Sequence, residues 1–198
     1  TSLGRSLALE FTWSQLVKEY TFPTVNGTST YALPTDFNMM LDQSGWNRTT
    51  QFPLGGPVSG QAWQYLKSQN ASSALTAQFR KNLGVMAIYP TPTSAQTIAY
   101  EYVSSFWVKP QAQSTPTADR TTVSTDVLYF DPLLLVCGLK LAYKRAKGFD
   151  SQAATIDFEK RLEQAKNQDP APVLSLNSGS YSTHLLDANN IPTTGFGS

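Results

Sequence analysis

The sequence predicts an α+β fold: a helical bundle with an inserted antiparallel β-sandwich or barrel and an extended C-terminal tail. Three observations support this prediction. Apolar residues recur at helical spacing near both ends of residues 1–169, short segments rich in β-forming residues lie between them, and the last part of the chain is polar. The predicted divisions are residues 1–18 and 126–169 for the bundle, 19–108 for the β domain with one short helix, 109–125 for a connector and 170–198 for the tail.

Composition indicates a globular protein and excludes several classes of partner. The 198 residues carry a net charge of +1, with 40% hydrophobic and 15% charged residues. Lys and Arg do not occur in runs, so tight binding to the phosphate backbone of nucleic acids is not indicated. The longest apolar run, residues 133–139, is far shorter than the roughly 20 residues of a membrane-spanning helix, and no membrane partner is expected. Because the chain has a single cysteine, it cannot form an internal disulfide.

The opening segment predicts a helix that leads into a β-hairpin. Apolar residues within 3–18 fall close to one helical face. In residues 19–37, Asn26-Gly27 tolerates the positive φ angles of a two-residue type I′ turn, and β-forming residues such as Tyr31 flank it on both sides. Pro34 has no N–H to donate to a ladder, and it therefore ends the returning strand.

Further strands and one short helix are predicted in the rest of the β domain. Residues 39–46, which end on Trp46, predict a strand, and residues 58–67 predict a short helix that presents Trp63. Further strands are predicted at 76–80, 85–89 and 97–108. The alternation in the last of these strands places Ile98, Tyr100, Tyr102 and Phe106 on one face.

Two helices complete the predicted bundle. Asp131 is the predicted N-cap of the first helix, Pro132 is its first residue, and Gly148 follows its last turn. Ser151 is the predicted N-cap of the second helix, which ends near residue 169. The first helix is apolar almost all round for two turns, so we expect it to be covered on more than one side.

No pattern of residues predicts catalysis, a metal site or a cofactor. A metal site or a Ser-His-Asp triad would depend on His184, the one histidine, which lies in the polar tail. Cys137 lies within the apolar run and is predicted as a small buried residue, because no base that could activate it is visible. Asp36, Asp42 and Glu101 could in principle converge as a glycosidase pair, but nothing in their spacing supports it.

Several segments, in this order and spacing, resemble head-to-tail adaptor proteins of tailed bacteriophages. The resemblance covers about residues 1–169. The segments are an aromatic-bearing opening helix, Tyr-Ala-Leu-Pro-Thr-Asp-Phe at 31–37, the strand with Trp46, Leu-Gly-Val-Met-Ala-Ile-Tyr-Pro-Thr-Pro at 83–92, residues 97–107, Asp-Val-Leu-Tyr-Phe-Asp-Pro-Leu at 126–133, Lys-Gly-Phe-Asp at 147–150, and Phe158-Glu159.

The resemblance implies a structural virion protein without catalytic activity. Such adaptors assemble as a homo-oligomeric ring beneath the portal protein, usually with its twelve-fold symmetry. They join the portal to the tail or nozzle protein at the neck of the virion, and they line the channel through which DNA leaves without specific binding. Assembly would take place in the host cytoplasm.

Aromatic residues of the β region leave an alternative open. Trp46, Trp63, Tyr100, Tyr102 and Trp107 could form a sugar-stacking platform, as in a carbohydrate-binding module or a small glycan-active virion protein. At strand spacing such residues more often pack in a core, which is the interpretation we favour. A secreted glycoprotein has weaker support, from Asn-x-Ser/Thr triplets at Asn26, Asn47 and Asn70.

The tail cannot build a core of its own. Residues 171–198 contain one acidic residue, one histidine and no Lys or Arg, and they are rich in Ser, Thr, Asn and Gly. If the tail is ordered, we expect it to lie on a partner. Its predicted contact residues are Leu174, Tyr181, Leu185, Leu186, Ile191 and Phe196.

Overall fold

Four helices and ten strands are found in the parts of the chain that the computed structural model describes, residues 2–68 and 77–169. Every pairing between these strands is antiparallel, which confirms the predicted α+β class. The helices are α1 (Ser2–Glu10), α2 (Gly60–Ser68), α3 (Pro132–Lys147) and α4 (Gln152–Gln168). The strands are β1 (Val17–Pro23), β2 (Thr30–Ala32), β3 (Phe37–Met40), β4 (Trp46–Asn47), β5 (Phe52–Pro53), β6 (Gln78–Asn82), β7 (Val85–Tyr89), β8 (Thr97–Ser104), β9 (Val108–Lys109) and β10 (Val127–Leu128).

Strand β8 organises the larger sheet. It pairs along one side with the whole of β1, from Val17 opposite Val103 to Pro23 opposite Thr97. Its other side pairs with β3 near its C-terminal end and with β4 near its N-terminal end, and β4 also pairs with β5. A second sheet has the order β2-β7-β6, and β9 pairs with β10 in a third. The sheets are therefore held together mainly by strands that are distant in sequence.

The predicted hairpin at residues 19–37 is wrong, although its turn exists. Strand β1 pairs with β8 and strand β2 pairs with β7, so the two strands that flank Asn26-Gly27 lie in different sheets. The Thr28 N–H donates to the Val25 carbonyl at 3.0 Å, and Gly27 has φ +77° whereas Asn26 does not have a positive φ. A positive φ at the third turn position alone is the type II pattern and not type I′. The turn therefore carries the chain from one sheet to the other.

The two-residue hairpin of this fold lies instead between β6 and β7. Asn82 pairs with Val85, so the loop consists of Leu83 and Gly84. Both have positive φ angles, +46° and +80°, as a type I′ turn requires. The left-handed conformation disfavours side chains with a Cβ, and Leu83 is 97% exposed, so no packing within the chain compensates for the strain.

Replacing Leu83 with Asn should stabilise the fold. Asn tolerates the left-handed conformation, and the strain that it removes is about 1 kcal/mol. Urea denaturation of the two proteins would show a higher midpoint with an unchanged slope. Leu83→Ala is the matched control, because alanine removes the exposed apolar side chain but keeps the unfavourable φ. An equal gain from both variants would mean that exposure and not backbone strain is responsible.

Two hydrophobic cores share strand β8. The first lies among α1, α3 and α4 and includes Val103 of β8 and Trp107 beyond it. The second lies between the two larger sheets and includes Ile98, Tyr100 and Tyr102 of β8. Neighbouring residues of one strand thus belong to different cores. Whether these cores correspond to a bundle domain and an inserted β domain stays a prediction.

The opening helix is shorter than residues 3–18. Helix α1 ends at Glu10, residues 14–16 form one 3-10 turn, and β1 already begins at Val17. The Trp13 indole N–H donates to the carbonyl of Leu7 at 2.7 Å, and this hydrogen bond holds the Trp13 side chain against α1. Leu16 is fully buried in the first core. The apolar spacing is real, but it reflects burial in a turn as well as in a helix.

Three further boundaries differ from the prediction. Residues 39–46 divide between β3 and β4, because a turn with Gln43 at φ +59° interrupts them. Phe106 does not share the buried face of β8, since that strand ends at Ser104. The connector at 109–125 is bounded by the β9–β10 ladder, and Ala118 within it forms a bridge with Val108.

Candidate interaction surface

Helix α3 has well-defined ends. Asp131 accepts a hydrogen bond from the Leu133 N–H at 3.1 Å and Pro132 occupies the first turn, which confirms the predicted N-terminus. At the other end, Gly148 adopts φ +70° and donates to the Arg145 carbonyl, while the Phe149 N–H donates to the Lys144 carbonyl at 3.0 Å. This is a Schellman-type cap.

Helix α4 begins with a different cap from the predicted one. Ser151 is at the N-cap position but its side chain makes no capping hydrogen bond. Instead, the Asp150 carboxylate accepts from the Gln152 N–H at 3.0 Å. Within the helix, the Arg161 guanidinium donates to the Gln164 side-chain carbonyl at 3.3 Å. The helix ends at Gln168, as expected.

The inner face of α3 packs closely against its two neighbours. Leu134, Leu135 and Leu141 are buried there. Gly138 is required at the centre of this face, because an added Cβ would lie 2.6 Å from the Leu3 side chain of α1 and 3.0 Å from Phe158 of α4. The close contact fixes which side of α3 is turned toward the core.

The outer face of α3 carries a continuous row of exposed apolar side chains, which we call the α3 stripe. At roughly 100 Å² for each half-exposed large side chain, the stripe presents about 500 Å² of apolar surface, which is at the upper end for a monomer and is often functional. Among the described residues α3 is covered by α1 and α4 on its inner face alone, so the expectation of cover on more than one side stays a prediction. The α3 stripe consists of Leu133 (54% exposed), Val136 (45%), Leu139 (58%) and Tyr143 (59%) of the helix, together with Phe149 (59%) just beyond its cap, whose ring lies 6.5 Å from that of Tyr143.

The charges of α3 are all positive. Residues 132–147 include Lys140, Lys144, Arg145 and Lys147 and no acidic residue. Four ion pairs occur within residues 2–68 and 77–169, and none of them includes a charge of α3. The α3 stripe is therefore accompanied by lysines that pair with no carboxylate of the described residues. Such a surface suits a partner that offers apolar contacts beside carboxylates.

A buried polar network around Asp36 joins β1, β8 and the connector. The Asp36 carboxylate accepts hydrogen bonds from Lys18 at 2.7 Å, Ser104 at 2.7 Å and Tyr102 at 2.9 Å. Lys18 also donates to the carbonyl of Pro116 in the connector. Burial by itself would raise the pKa of Asp36, but these three hydrogen bonds and the Lys18 charge hold it below its usual value. Nothing in the sequence singles out these residues as partners.

The predicted marker residues of the β region have structural roles. Gly27 supplies the positive φ of its turn, and the Tyr31 hydroxyl donates to the Thr28 carbonyl at 2.6 Å across the same turn. Strand β2 ends two residues before Pro34, in agreement with the prediction. Trp63 is buried and its ring lies 6.2 Å from that of Tyr89, whereas Trp46 is half-buried on the sheet opposite Ala99.

The aromatic residues considered for a sugar platform do not form one surface. Their burial matches the core interpretation for four of the five, and the remaining one, Trp46, is half-buried. A platform needs several exposed rings side by side. The buried members are Trp63 (6% exposed), Tyr100 (1%), Tyr102 (4%) and Trp107 (4%).

The other chemical candidates are also accounted for. Asp42 and Glu101 are exposed while Asp36 is buried against Lys18. Cys137 is only partly buried, not fully as predicted. Residues 2–68 and 77–169 hold no group of three or more His, Cys, Asp or Glu side chains that could bind a metal. Over the same residues, no helix has the length and apolarity of a membrane span.

His184, Asn70 and the proposed tail contacts lie outside the described residues. The point from which the tail departs is nevertheless well defined. The Asp169 carboxylate accepts a hydrogen bond from the backbone N–H of Ser14 at 2.8 Å, and its other oxygen accepts from the Ser14 hydroxyl. The end of α4 is thereby held beside the turn that follows α1.

Comparison with known families identifies one match. A family model described as SU10 adaptor protein matches residues 4–179. The match begins in α1, includes both larger sheets and extends past the end of α4. A search of curated proteins found no match.

Proposed function

This chain belongs to the SU10 adaptor protein family, and from this membership we propose that it joins the portal protein to the tail or nozzle protein of a bacteriophage. Its place would be the head–tail junction of the virion. The family match carries the proposal, because it extends over residues 4–179 and so includes every helix and strand described above. The SU10 adaptors are phage structural proteins, and we propose no catalytic role and no cofactor for this chain.

A ring of identical subunits is the proposed assembly, with twelve copies to match the portal. The α3 stripe supports an oligomer, since about 500 Å² of apolar surface is left uncovered by residues 2–68 and 77–169. A ring requires that two different patches of each subunit meet, and the chain offers more than one exposed helix face. The proposed place of assembly is the host cytoplasm.

The proposed ring would line the channel through which DNA leaves the head. The net charge of +1 suits this role, because a strongly basic lining would bind the phosphate backbone and impede its sliding. No specific contact with DNA is proposed.

The C-terminal tail is proposed to contact a neighbouring protein. Its starting point is held by the hydrogen bonds between Asp169 and Ser14, so the tail leaves from a rigid part of the molecule. The apolar residues between Leu174 and Phe196 are scattered among polar ones, a pattern that suits an extended segment laid on another surface.

A carbohydrate-binding module is the second candidate, and it has lost support. It depended on a row of exposed aromatic rings, and four of the five rings are buried. Calorimetric titration with glycans would show no heat of binding if the adaptor proposal is right.

Electron microscopy of the protein mixed with portal protein would test the proposed function. We expect rings seated on the portal, and cross-linking of purified virions should connect the protein to both the portal and the tail protein. The protein alone and the portal alone are the controls. A protein that binds neither the portal nor a tail component would overturn the proposal.

A further inference from the structure

We propose that the α3 stripe and its lysines bind the outer face of α4 in a second copy of this chain. The inference deepens the proposed function, on which it rests, by naming the two faces through which neighbouring subunits meet. Four observations support it: the size of the α3 stripe, the unpaired positive charge beside it, a complementary patch on α4, and the position of both on one rigid helix pair.

The size of the α3 stripe matches what a stable contact needs. A stable interface buries about 800 Å² on each partner, of which about 56–65% is apolar, or roughly 450–520 Å². The five side chains of the α3 stripe present about 500 Å², by the estimate of roughly 100 Å² each.

The lysines that accompany the α3 stripe lie in one row. Lys140, Lys144 and Lys147 are spaced by four and three residues, so they lie on the same side of the helix. Helical geometry places this row on the outer face together with Val136 and Tyr143. None of these lysines belongs to the four ion pairs found within residues 2–68 and 77–169, so they are available to carboxylates of another molecule.

A complementary patch occurs on the exposed side of α4, and we call it the α4 patch. Ile156, Glu159 and Glu163 follow one another at three and four residues and therefore form one stripe. Ile156 is 58% exposed and both glutamates are exposed. Neither glutamate is part of an ion pair of the described chain. The α4 patch thus offers one exposed apolar side chain, Ile156, in a row with two carboxylates that can pair with the lysines beside the α3 stripe.

The two surfaces belong to one helix pair but face different directions. Helices α3 and α4 pack against each other through Gly138 and Phe158, so the α3 stripe and the α4 patch are both directed away from that contact. A copy therefore cannot use its own α4 patch to cover its α3 stripe. A contact between two different patches adds copies in one direction and closes into a ring when the rotation permits.

Self-association of the full chain would test the apolar part of the interface. We expect sedimentation velocity at increasing concentration to show oligomers, and Leu139→Glu should weaken association by roughly 30-fold or more, as at an interface hot spot. Tyr65→Glu is the matched control, because Tyr65 is 63% exposed on α2, away from both surfaces. Thermal denaturation should show that both variants stay folded. A wild-type chain that stays monomeric at millimolar concentration, or equal effects of the two variants, would overturn the inference.

Charge reversal would identify the partner of the lysine row. The double variant Lys140→Glu, Lys144→Glu should not associate with itself, and neither should Glu159→Lys, Glu163→Lys. An equimolar mixture of the two variants should recover association. In the mixture, the reversed α3 of one variant meets the reversed α4 of the other, so opposite charges face each other again. The two variants would alternate around the ring, and such a ring can close when its number of subunits is even. If the α4 variant associates like the wild type, or the mixture does not recover, α4 is not the partner and the inference fails.

The outcome can be separated from that of the proposed function. A variant that is monomeric alone but still binds portal protein in pull-down leaves the adaptor role intact and assigns the surface to contacts between copies. A chain that forms rings through these faces but binds no portal or tail protein would support the interface and contradict the adaptor role.

Discussion

Replacing Asp36 with Ala is expected to lower the free energy of unfolding by about 3–5 kcal/mol. The buried groups that donate hydrogen bonds to the Asp36 carboxylate would then lose their charged acceptor. The Asp36 carboxylate accepts from Lys18, Ser104 and Tyr102, and Asp36 is only 7% exposed. Once it is removed, an ammonium group and two hydroxyls are left without their acceptor. Urea denaturation at pH 7 would measure the loss in the free energy of unfolding.

Asp119→Ala is the matched control for this prediction. Asp119 also forms an ion pair, with Arg5, but the side chain of Arg5 is 59% exposed and that of Asp119 is 31% exposed. Exposed pairs contribute little, so this variant should lose less than about 1 kcal/mol. Similar losses from the two variants would show that burial of the Asp36 network has no special effect.

The contribution of Asp36 to the free energy of unfolding should also depend on pH, and it should decrease as the pH falls. Folding lowers the pKa of this carboxylate below its ordinary value of 3.8. The ionised form therefore stabilises the native state above that value, and the stabilisation is lost as the pH falls through the lower, folded pKa. Asp36→Asn should be less stable than the wild type at pH 7, and the difference should narrow below about pH 4. If the difference in stability between the wild type and Asp36→Asn does not change with pH, the ionised carboxylate does not stabilise the fold.

Replacing Trp107 with Ala is the second large effect, and we expect a loss of about 3–5 kcal/mol from the cavity it leaves. Trp107 is 4% exposed, its ring centre lies 5.8 Å from that of Phe130, and it packs directly on α1 at Gly4. A Cβ added at Gly4 would lie 2.1 Å from the Trp107 ring, so the helix and the indole are in direct contact. Thermal or urea denaturation would measure the loss.

Phenylalanine at two tryptophan positions supplies a sharper comparison. Trp13 and Trp107 both pack on Phe130, but the Trp13 indole N–H donates to the Leu7 carbonyl, whereas the Trp107 indole N–H is buried without a partner. Trp107→Phe removes an unsatisfied polar group and should therefore cost less than Trp13→Phe, which removes a hydrogen bond. The opposite order would mean that ring volume and not hydrogen bonding decides the cost.

The parts of the fold that were predicted well are those whose causes lie within a few residues. The Asp131-Pro132 start and the Gly148 end of α3 follow from side chains that satisfy backbone groups within one turn. The apolar spacing of α4 likewise predicts its inner face, with Leu162 buried and Phe158 packed against the first core. In these elements the local preference and the tertiary contacts agree.

The errors occurred where two segments compete for the same partner. Asn26-Gly27 predicts a turn correctly, but β1 pairs with β8, some 80 residues away at Val17 and Val103, and this pairing takes the hydrogen bonds that a hairpin would have used. The type I′ turn lies at Leu83-Gly84, where a leucine adopts an unfavourable φ because the β6–β7 ladder holds it there. Turn preference alone could not identify either arrangement.

The α+β class, the ends of α3, the end of α4 and the resemblance to phage adaptors follow from the sequence alone, since composition, caps and motifs are local properties of the chain. The strand pairing, the role of Asp36 as acceptor for Lys18 and the exposure of the α3 stripe follow from the three-dimensional contacts. Each of these depends on contacts between distant segments, whose free energy is set by the whole fold and not by the preferences of the residues involved.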